Sequence, residues 1–387
     1  LQPDYIITVD CGIACKHEVE MVKAAGIGIA ITDHHEPMDL VPVDVPIANP
    51  KLDPDCPSFL LAGVGVALKV LQATGARLGK PHLWREYIDL AILGTVADLM
   101  PMVGENRALV TAGLERINTA PRAGIAALLE TTGASDRKMN ATNIGFTIIP
   151  RLNAAGRLGD ARPALDLLLS QDFEEAGKRA AKLEEVNDKR RLLEAELSEA
   201  ATAQASEIYQ GQRVLVVADE GWHEGVKGIV ASRLVNRYGV PVLLFSIEGD
   251  EARGSCRSVG QVNLLKGIES VADLLIRFGG HEAAAGVTLP AAKLTEFTER
   301  LQAYMQQLPA ESFYARVQID SCVDLEELTL DKVMELERLA PFGQENPTPQ
   351  FLARGVTLTD CRAVGAAKNH FSCALSDGKN KLSGIMF

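Results

Sequence analysis

Ile27-Gly28-Ile29-Ala30-Ile31-Thr32-Asp33-His34-His35 is the stretch on which the reading of this chain turns. Its first five residues are apolar or small and read as a buried strand. The run then ends in a carboxylate and two imidazoles. Open α/β sheets bind ligands at the carboxyl ends of their strands, so Asp33, His34 and His35 arrive where chemistry is done. Tyr5-Ile6-Ile7-Thr8-Val9-Asp10 is a second such strand, also ending in an acid. Gly12 turns the chain into a helix reaching Ala24-Ala25, and Gly26 stops it before the next strand. Strand, helix and strand at this spacing make a βαβ unit with parallel pairing.

A third acid, Asp98, closes Gly94-Thr95-Val96-Ala97-Asp98, read as a turn fed by a helix over 84–93. Asp10, His34 and Asp98 are the candidate metal ligands. Carboxylate and imidazole donors together suit Mn²⁺, Mg²⁺ or Zn²⁺, and Mn²⁺ well. Three side chains do not hold two metals securely, because a two-metal hydrolase needs further carboxylates to bridge them. Those acids are expected upstream of Leu1. His35 cannot easily share the orientation of His34 and is placed to touch a phosphate oxygen or act as an acid. Asp33 is the candidate to hold a histidine ring.

A chain of 387 residues exceeds one ordinary core, so several domains are expected. It opens without Met and stops within an alternating, strand-like pattern, so material is expected at both ends. The seven cysteines are odd in number and widely spaced, which argues for reduced thiols rather than a disulfide framework. No apolar run is long enough to span a bilayer. The net charge of −12 by itself argues against a nucleic-acid binder. A locally basic cleft and bound metal ions offset that, since the sequence does not count an ion's charge.

Residues 44–57 read as loop, 61–73 as a helix, and further helices follow to about 170. From Lys178 to Gln210 there is no Gly or Pro and an abundance of Ala, Leu, Glu, Lys and Arg. One continuous helix there is about 50 Å long, more than one domain needs, and is expected to link two. A second α/β unit starts with a strand at 213–218, a helix over 225–238 and a strand at 240–245. Within it, Arg257 and Ser258 follow a turn read at Gly254-Ser255. Gly279-Gly280-His281 reads as a turn opening a helix, with free N–H groups and an imidazole for an anion. Pro150-Arg151-Leu152-Asn153-Ala154-Ala155-Gly156-Arg157 sets two arginines among small residues, where they can bind phosphate bidentately. Arg257 and the Gly279-Gly280-His281 segment form a second recognition surface, expected to face the Asp-His-His centre across a cleft spanned by the long helix. Past Tyr314 the pattern becomes short strands at 315–320, 351–358, 371–375 and 382–387, with Asp377-Gly378 as a hairpin turn.

Thr32-Asp33-His34-His35 is the name-giving motif of the DHH phosphoesterases, and the chain resembles that family. Gly279-Gly280-His281-Glu282-Ala283-Ala284-Ala285-Gly286 looks like the signature of its accompanying domain. Val9-Asp10-Cys11-Gly12-Ile13, Gly94–Asp98, Pro150–Arg157, Gly221-Trp222-His223-Glu224-Gly225-Val226 and Pro341-Phe342-Gly343-Gln344-Glu345-Asn346-Pro347 narrow the likeness to its bacterial single-strand DNA exonucleases. The resemblance implies an α/β fold: a parallel-sheet DHH domain over 1–175 and a connecting long helix over 176–210. A smaller α/β substrate-binding domain over 211–310 and a partial OB-like barrel over 311–387 complete it.

It further implies a metal-dependent 5′→3′ exonuclease that acts on single-stranded DNA in repair and recombination. Mn²⁺ or Mg²⁺, two ions in the complete protein, would be the cofactor. Single-strand-binding protein and a helicase would be partners of a cytoplasmic monomer with no membrane contact. Asp10, Asp33, His34, His35 and Asp98 would be catalytic, with Asp10, His34 and Asp98 on the metal. Arg151, Asn153, Arg157, Ser255, Arg257, Ser258, Gly279, Gly280 and His281 would hold substrate. The family's first acidic motif is absent and should precede Leu1. Asp160 stands where many relatives place a histidine. Other members of the family act on short oligonucleotides or cyclic dinucleotides, and an inactive replication scaffold is a further alternative.

Overall fold

The computed structural model describes residues 3–37, 39–365, 368 and 370–386. They form two units, Leu1–Ile149 with Gln318–Phe387, and Pro150–Val317.

In the first unit β1 (Tyr5–Val9), α1 (Lys16–Ala24), β2 (Gly28–Thr32) and β3 (Ile47–Ala48) make a three-stranded parallel sheet in the order β1-β2-β3. Period-2 alternation turns Ile29 and Ile31 to one face, where they bury against Val19 of α1. Helices α2 (Gly63–Arg77), α3 (Ile88–Ala97), α4 (Gly104–Thr119), α5 (Ala123–Thr131) and α6 (Ala141–Thr147) follow. Leu61, Val66, Leu68, Ile88, Ala91 and Leu109 form one shared core of this helical part. The turn expected at Gly94–Ala97 is instead the end of α3, with Asp98 as its C-cap. Gly94 is there for close packing: a Cβ on it would come within 2.6 Å of Val64. Asp98 therefore sits directly at the end of this helix.

The second unit opens with α7 (Ile149–Arg157), α8 (Arg162–Leu169) and the 36-residue α9 (Phe173–Ile208). Asp172 caps α9 by accepting from the Glu175 N–H. The expected long helix is thus one element. It is buried along its length, at Ala176, Ala180, Leu183, Asn187, Glu194, Leu197, Ala201 and Ala205, all within this unit. Next come β4 (Leu215–Glu220), α10 (Glu224–Tyr238), β5 (Val242–Glu248), β6 (Glu251–Arg257), α11 (Leu264–Glu269), β7 (Arg277–Gly280), β8 (Ala284–Pro290) and α12 (Leu294–Gln306).

The sheet runs β4-β5-β6-β8-β7, parallel only between β4 and β5. Leu197, Ala201, Val226 and Val230 of α9 and α10 pack on one face, and Leu264, Ile268, Phe297 and Leu301 of α11 and α12 on the other. Two expectations fail here. Gly254-Ser255 is inside β6, not a turn, because Gly254 lets the Phe245 ring lie against bare backbone. Gly279-Gly280 closes edge strand β7, and His281 enters a tight connection to β8, so no helix opens there.

The C-terminal part of the first unit holds β9 (Ser321–Cys322), α13 (Leu330–Leu336), β10 (Phe351–Leu352), β11 (Thr357–Val364), β12 (His370–Ser376) and β13 (Lys381–Met386). β9 and β10 pair in parallel, and β11-β12-β13 is an antiparallel meander. Asp377 shapes the β12–β13 turn by accepting the Lys379 and Asn380 N–H groups. The strand expected over 315–320 is absent; pairing begins only where the Asp320 N–H reaches Gln350 O, 2.8 Å away.

Candidate metal centre and anion cradle

Asp10 follows the last residue of β1 in a left-handed conformation, φ 63°, while its N–H still donates to Thr32 O. That backbone turns the carboxylate off the strand end. His34 leaves the neighbouring strand, and Asp98 caps α3. The three meet at one nitrogen: His34 Nε2 is 3.1 Å from Asp10 Oδ1 and 3.4 Å from Asp98 Oδ2. The imidazole is buried, whereas both acids are half exposed. His35 joins the cluster, its ligand atom lying within 4.8 Å of those of Asp10 and His34. Donors of these types, converging from three elements with one open side, fit a hard divalent cation. Burial pushes the Asp98 carboxyl above its ordinary value; the nearby His34 opposes this and Asp10 adds to it.

Asp33 does not face the cluster. It is buried and organises the loop, its Oδ2 accepting the Ile13 N–H at 2.9 Å. Its Oδ1 accepts the His34 N–H at 2.7 Å and holds His35 Nδ1 at 2.7 Å. Burial alone would raise its pKa, but these hydrogen bonds outweigh it and hold Asp33 low. The same bond raises His35. Asp33 thus fixes the ring of His35 rather than that of His34.

One contributor escaped the sequence reading. Gly63 starts α2, and a Cβ there would overlap the Asp10 carboxylate. The Gly63-Val64-Gly65 spacing at a helix start was the available signal.

In the second unit, α7 is a helix where loose small-residue backbone was expected. Asn153 and Arg157 lie one turn apart on its exposed side, while Ala154 and Ala155 are buried. Arg151 is drawn into a bidentate pair with Glu184 of α9, Nη2 at 2.9 Å from Oε1. Arg157 Nη1 donates to Gly225 O at 2.9 Å, in the first turn of α10. Arg257 reaches that same turn from β6: a Cβ on Gly228 would come 2.5 Å from its Nη2 and 3.1 Å from Ser255 Oγ. Burial lowers the Arg257 pKa, and the charge of Arg157 lowers it further. Two guanidiniums at a helix N-terminus, close enough to feel each other, make an arrangement that can take an anion.

Ser258 is committed locally, its hydroxyl donating to Val262 O at 2.6 Å. Gly280 lies in the sheet row of Ala285 and Cys256, and Gly279 in that of Gly286 and Ser255. The His281 N–H bonds Ala284 O, and Ala284 pairs with Arg257. Gly279, Gly280 and His281 therefore occupy the same end of this sheet as Ser255 and Arg257.

Three family models match successive parts of the chain: the DHH family N-terminal domain at residues 2–95, the DHHA1 domain at 211–307 and the RecJ OB domain at 319–387. The single-stranded-DNA-specific exonuclease RecJ of Dickeya dadantii is 35% identical over 408 residues, covering 99% of this chain and 70% of that protein. The chain belongs to the RecJ family. RecJ of Bacillus subtilis is 38% identical over 387 residues, 99% of this chain and 48% of the relative. The chain thus spans about half the length of that relative. The crystal structure of RecJ in complex with Mn²⁺ from Thermus thermophilus matches with a TM-score of 0.87 at 35% identity, covering 98% of this chain and 56% of that one. The resemblance read from the motifs is borne out, as is the α/β architecture with its OB part.

Proposed function

We propose that the chain carries the catalytic part of a 5′→3′ exonuclease that hydrolyses single-stranded DNA to mononucleotides in repair and recombination. The observation that carries this reading is the convergence of Asp10, His34 and Asp98 on one point, in a chain whose relatives are named single-stranded-DNA-specific exonucleases. Asp10, His34 and Asp98 hold Mn²⁺ or Mg²⁺, with two ions in the complete protein. When bound, such ions polarise the phosphoryl oxygen and make water a nucleophile at neutral pH. The chain's own residues do the rest. Asp33 fixes Nδ1 of His35, leaving Nε2 for a non-bridging phosphate oxygen. Arg157, Arg257 and Ser255 seat the 5′-terminal phosphate, beside Asn153, Gly279, Gly280 and His281. Arg151 and Ser258 support this surface through Glu184 and Val262.

The OB part supports binding of a single strand. Single-strand-binding protein and a helicase are proposed partners, with a monomer working in the cytoplasm. Among the described residues no helix is long and apolar enough to cross a membrane.

End-labelled oligonucleotides with Mn²⁺ test this. Mononucleotides should appear from the 5′ end of single strands, and a blunt duplex should resist. Digestion from the 3′ end, or faster turnover of dinucleotides or cyclic dinucleotides, would replace this reading with a different phosphodiesterase.

A further inference from the structure

Lys227 is among the largest fully buried side chains of the described residues and carries an ammonium with three protons. Each has an acceptor. Glu224 Oε1 lies at 2.5 Å and Ser246 Oγ at 2.8 Å, and the Arg253 carbonyl is the third. The acceptors belong to α10, β5 and β6 respectively. Ser246 and Arg253 are register partners across β5 and β6, and the Ser246 hydroxyl also donates to Glu224. The ammonium thus pins the first turn of α10 onto one point of the sheet.

Stability alone is a weak reason for this arrangement, because replacing a buried ion pair as a whole by packed apolar side chains is often neutral or stabilising. What the pin fixes is geometry. Ser255 and Arg257 lie two and four residues beyond Arg253 on β6, and so on the same face. Gly228, next to Lys227, is where Arg257 lies against α10. Gly225, in the same turn, takes the Arg157 hydrogen bond. The like charges of Arg157 and Arg257 oppose each other, so their spacing depends on the backbone that carries them.

We infer that Lys227, with Ser246 and Glu224, is a positioning group that holds the first turn of α10 against β6 and thereby sets the spacing of Arg157 and Arg257 for a terminal phosphate monoester. The inference rests on the proposed 5′-phosphate role of that cradle. A phosphate monoester is the fitting ligand because two converging guanidiniums match its charge and its several oxygens.

Binding of the full chain to two fluorescent single strands, one 5′-phosphorylated and one 5′-hydroxyl, tests it without turnover. The quantity read is the ratio of the two affinities. Wild type should prefer the phosphate, and Arg257→Ala should abolish the preference. Lys227→Met should remain folded and lower the preference roughly tenfold, below the ~100-fold that a 1 Å misplacement can cost. Affinity for the 5′-hydroxyl strand should stay within about twofold, which general destabilisation would not allow. Lys227→Arg, which restores a cation, should recover part of the preference.

Wild-type preference in folded Lys227→Met, alongside its loss in Arg257→Ala, would overturn the inference and leave the cradle standing. No preference in wild type, or none lost in Arg257→Ala, would overturn the cradle itself. If Lys227→Met does not fold, Ser246→Ala decides. A reduced preference supports the pin, and an unchanged one refutes it.

Discussion

His34 Nε2 stands 3.1 Å from Asp10 Oδ1, and Asp98 Oδ2 approaches the same nitrogen at 3.4 Å. One acid comes from a strand end and the other from a helix end, with the imidazole between them. The Asp10 charge adds to the cost of ionising Asp98. A cation removes that cost, and the half-exposed acids leave it an open side for water and phosphate.

Asp10→Ala should fold normally, because the side chain is exposed and the strand before it is unchanged. Mn²⁺ binding measured by calorimetry should weaken beyond detection, and nuclease activity should fall by roughly 100-fold or more. Near-normal turnover by the purified variant would remove Asp10 from the site.

Gly63→Ala tests the floor beneath Asp10. An added methyl overlaps the carboxylate, while alanine is a better helix former than glycine. The melting temperature should hold or rise as Mn²⁺ affinity drops by about 10- to 100-fold, the usual cost of losing a group that orients a ligand. A loss of stability with unchanged metal affinity would mean that Gly63 serves packing alone.

Protons compete with the cation for Asp98, whose pKa is raised mainly by burial. A raised carboxylate begins to take up protons at higher pH than an ordinary aspartate near 4. Mn²⁺ affinity should therefore begin to decline on acidification while the pH is still above the range in which an unshifted aspartate titrates. Asp98→Asn should bind more weakly at neutral pH and show a shallower slope. Calorimetry across that range reads both effects.

Asp89 is fully buried at the start of α3 and accepts two hydrogen bonds from Arg122, Nη2 at 2.7 Å and Nε at 2.8 Å. Arg122→Ala strands that charge, since Arg116 is 3.7 Å away and poorly placed to replace it. Urea unfolding should show a loss of about 3 kcal/mol. A loss below about 1 kcal/mol would mean that Arg116 or water takes over.

The centre was legible in the sequence because its parts announce themselves locally. Asp10 and His34 each follow an apolar strand, and strand ends lie where sheets bind ligands. Asp98 was singled out, but the last turn of its helix was taken for a separate turn, because a glycine in a short apolar run signals a turn locally and only the packing of Gly94 on Val64 shows that the helix continues. Gly254-Ser255 and Gly279-Gly280 were misread for a related reason. Glycine signals a turn locally, yet here it makes room for Phe245 or sits on an edge strand, and only the tertiary neighbours decide which. Gly63, Glu184 and Lys227 went unnoticed because their roles exist only through contacts with Asp10, Arg151 and Ser246. No spacing rule encodes such pairs.

Pulsed electron paramagnetic resonance of bound Mn²⁺ tests the metal centre most directly. The expected result is a nitrogen hyperfine coupling from one directly coordinated imidazole in wild type, lost in His34→Gln and kept in His35→Gln. Mn²⁺ bound without nitrogen coupling, or with a coupling that survives His34→Gln, would contradict a centre built on Asp10, His34 and Asp98.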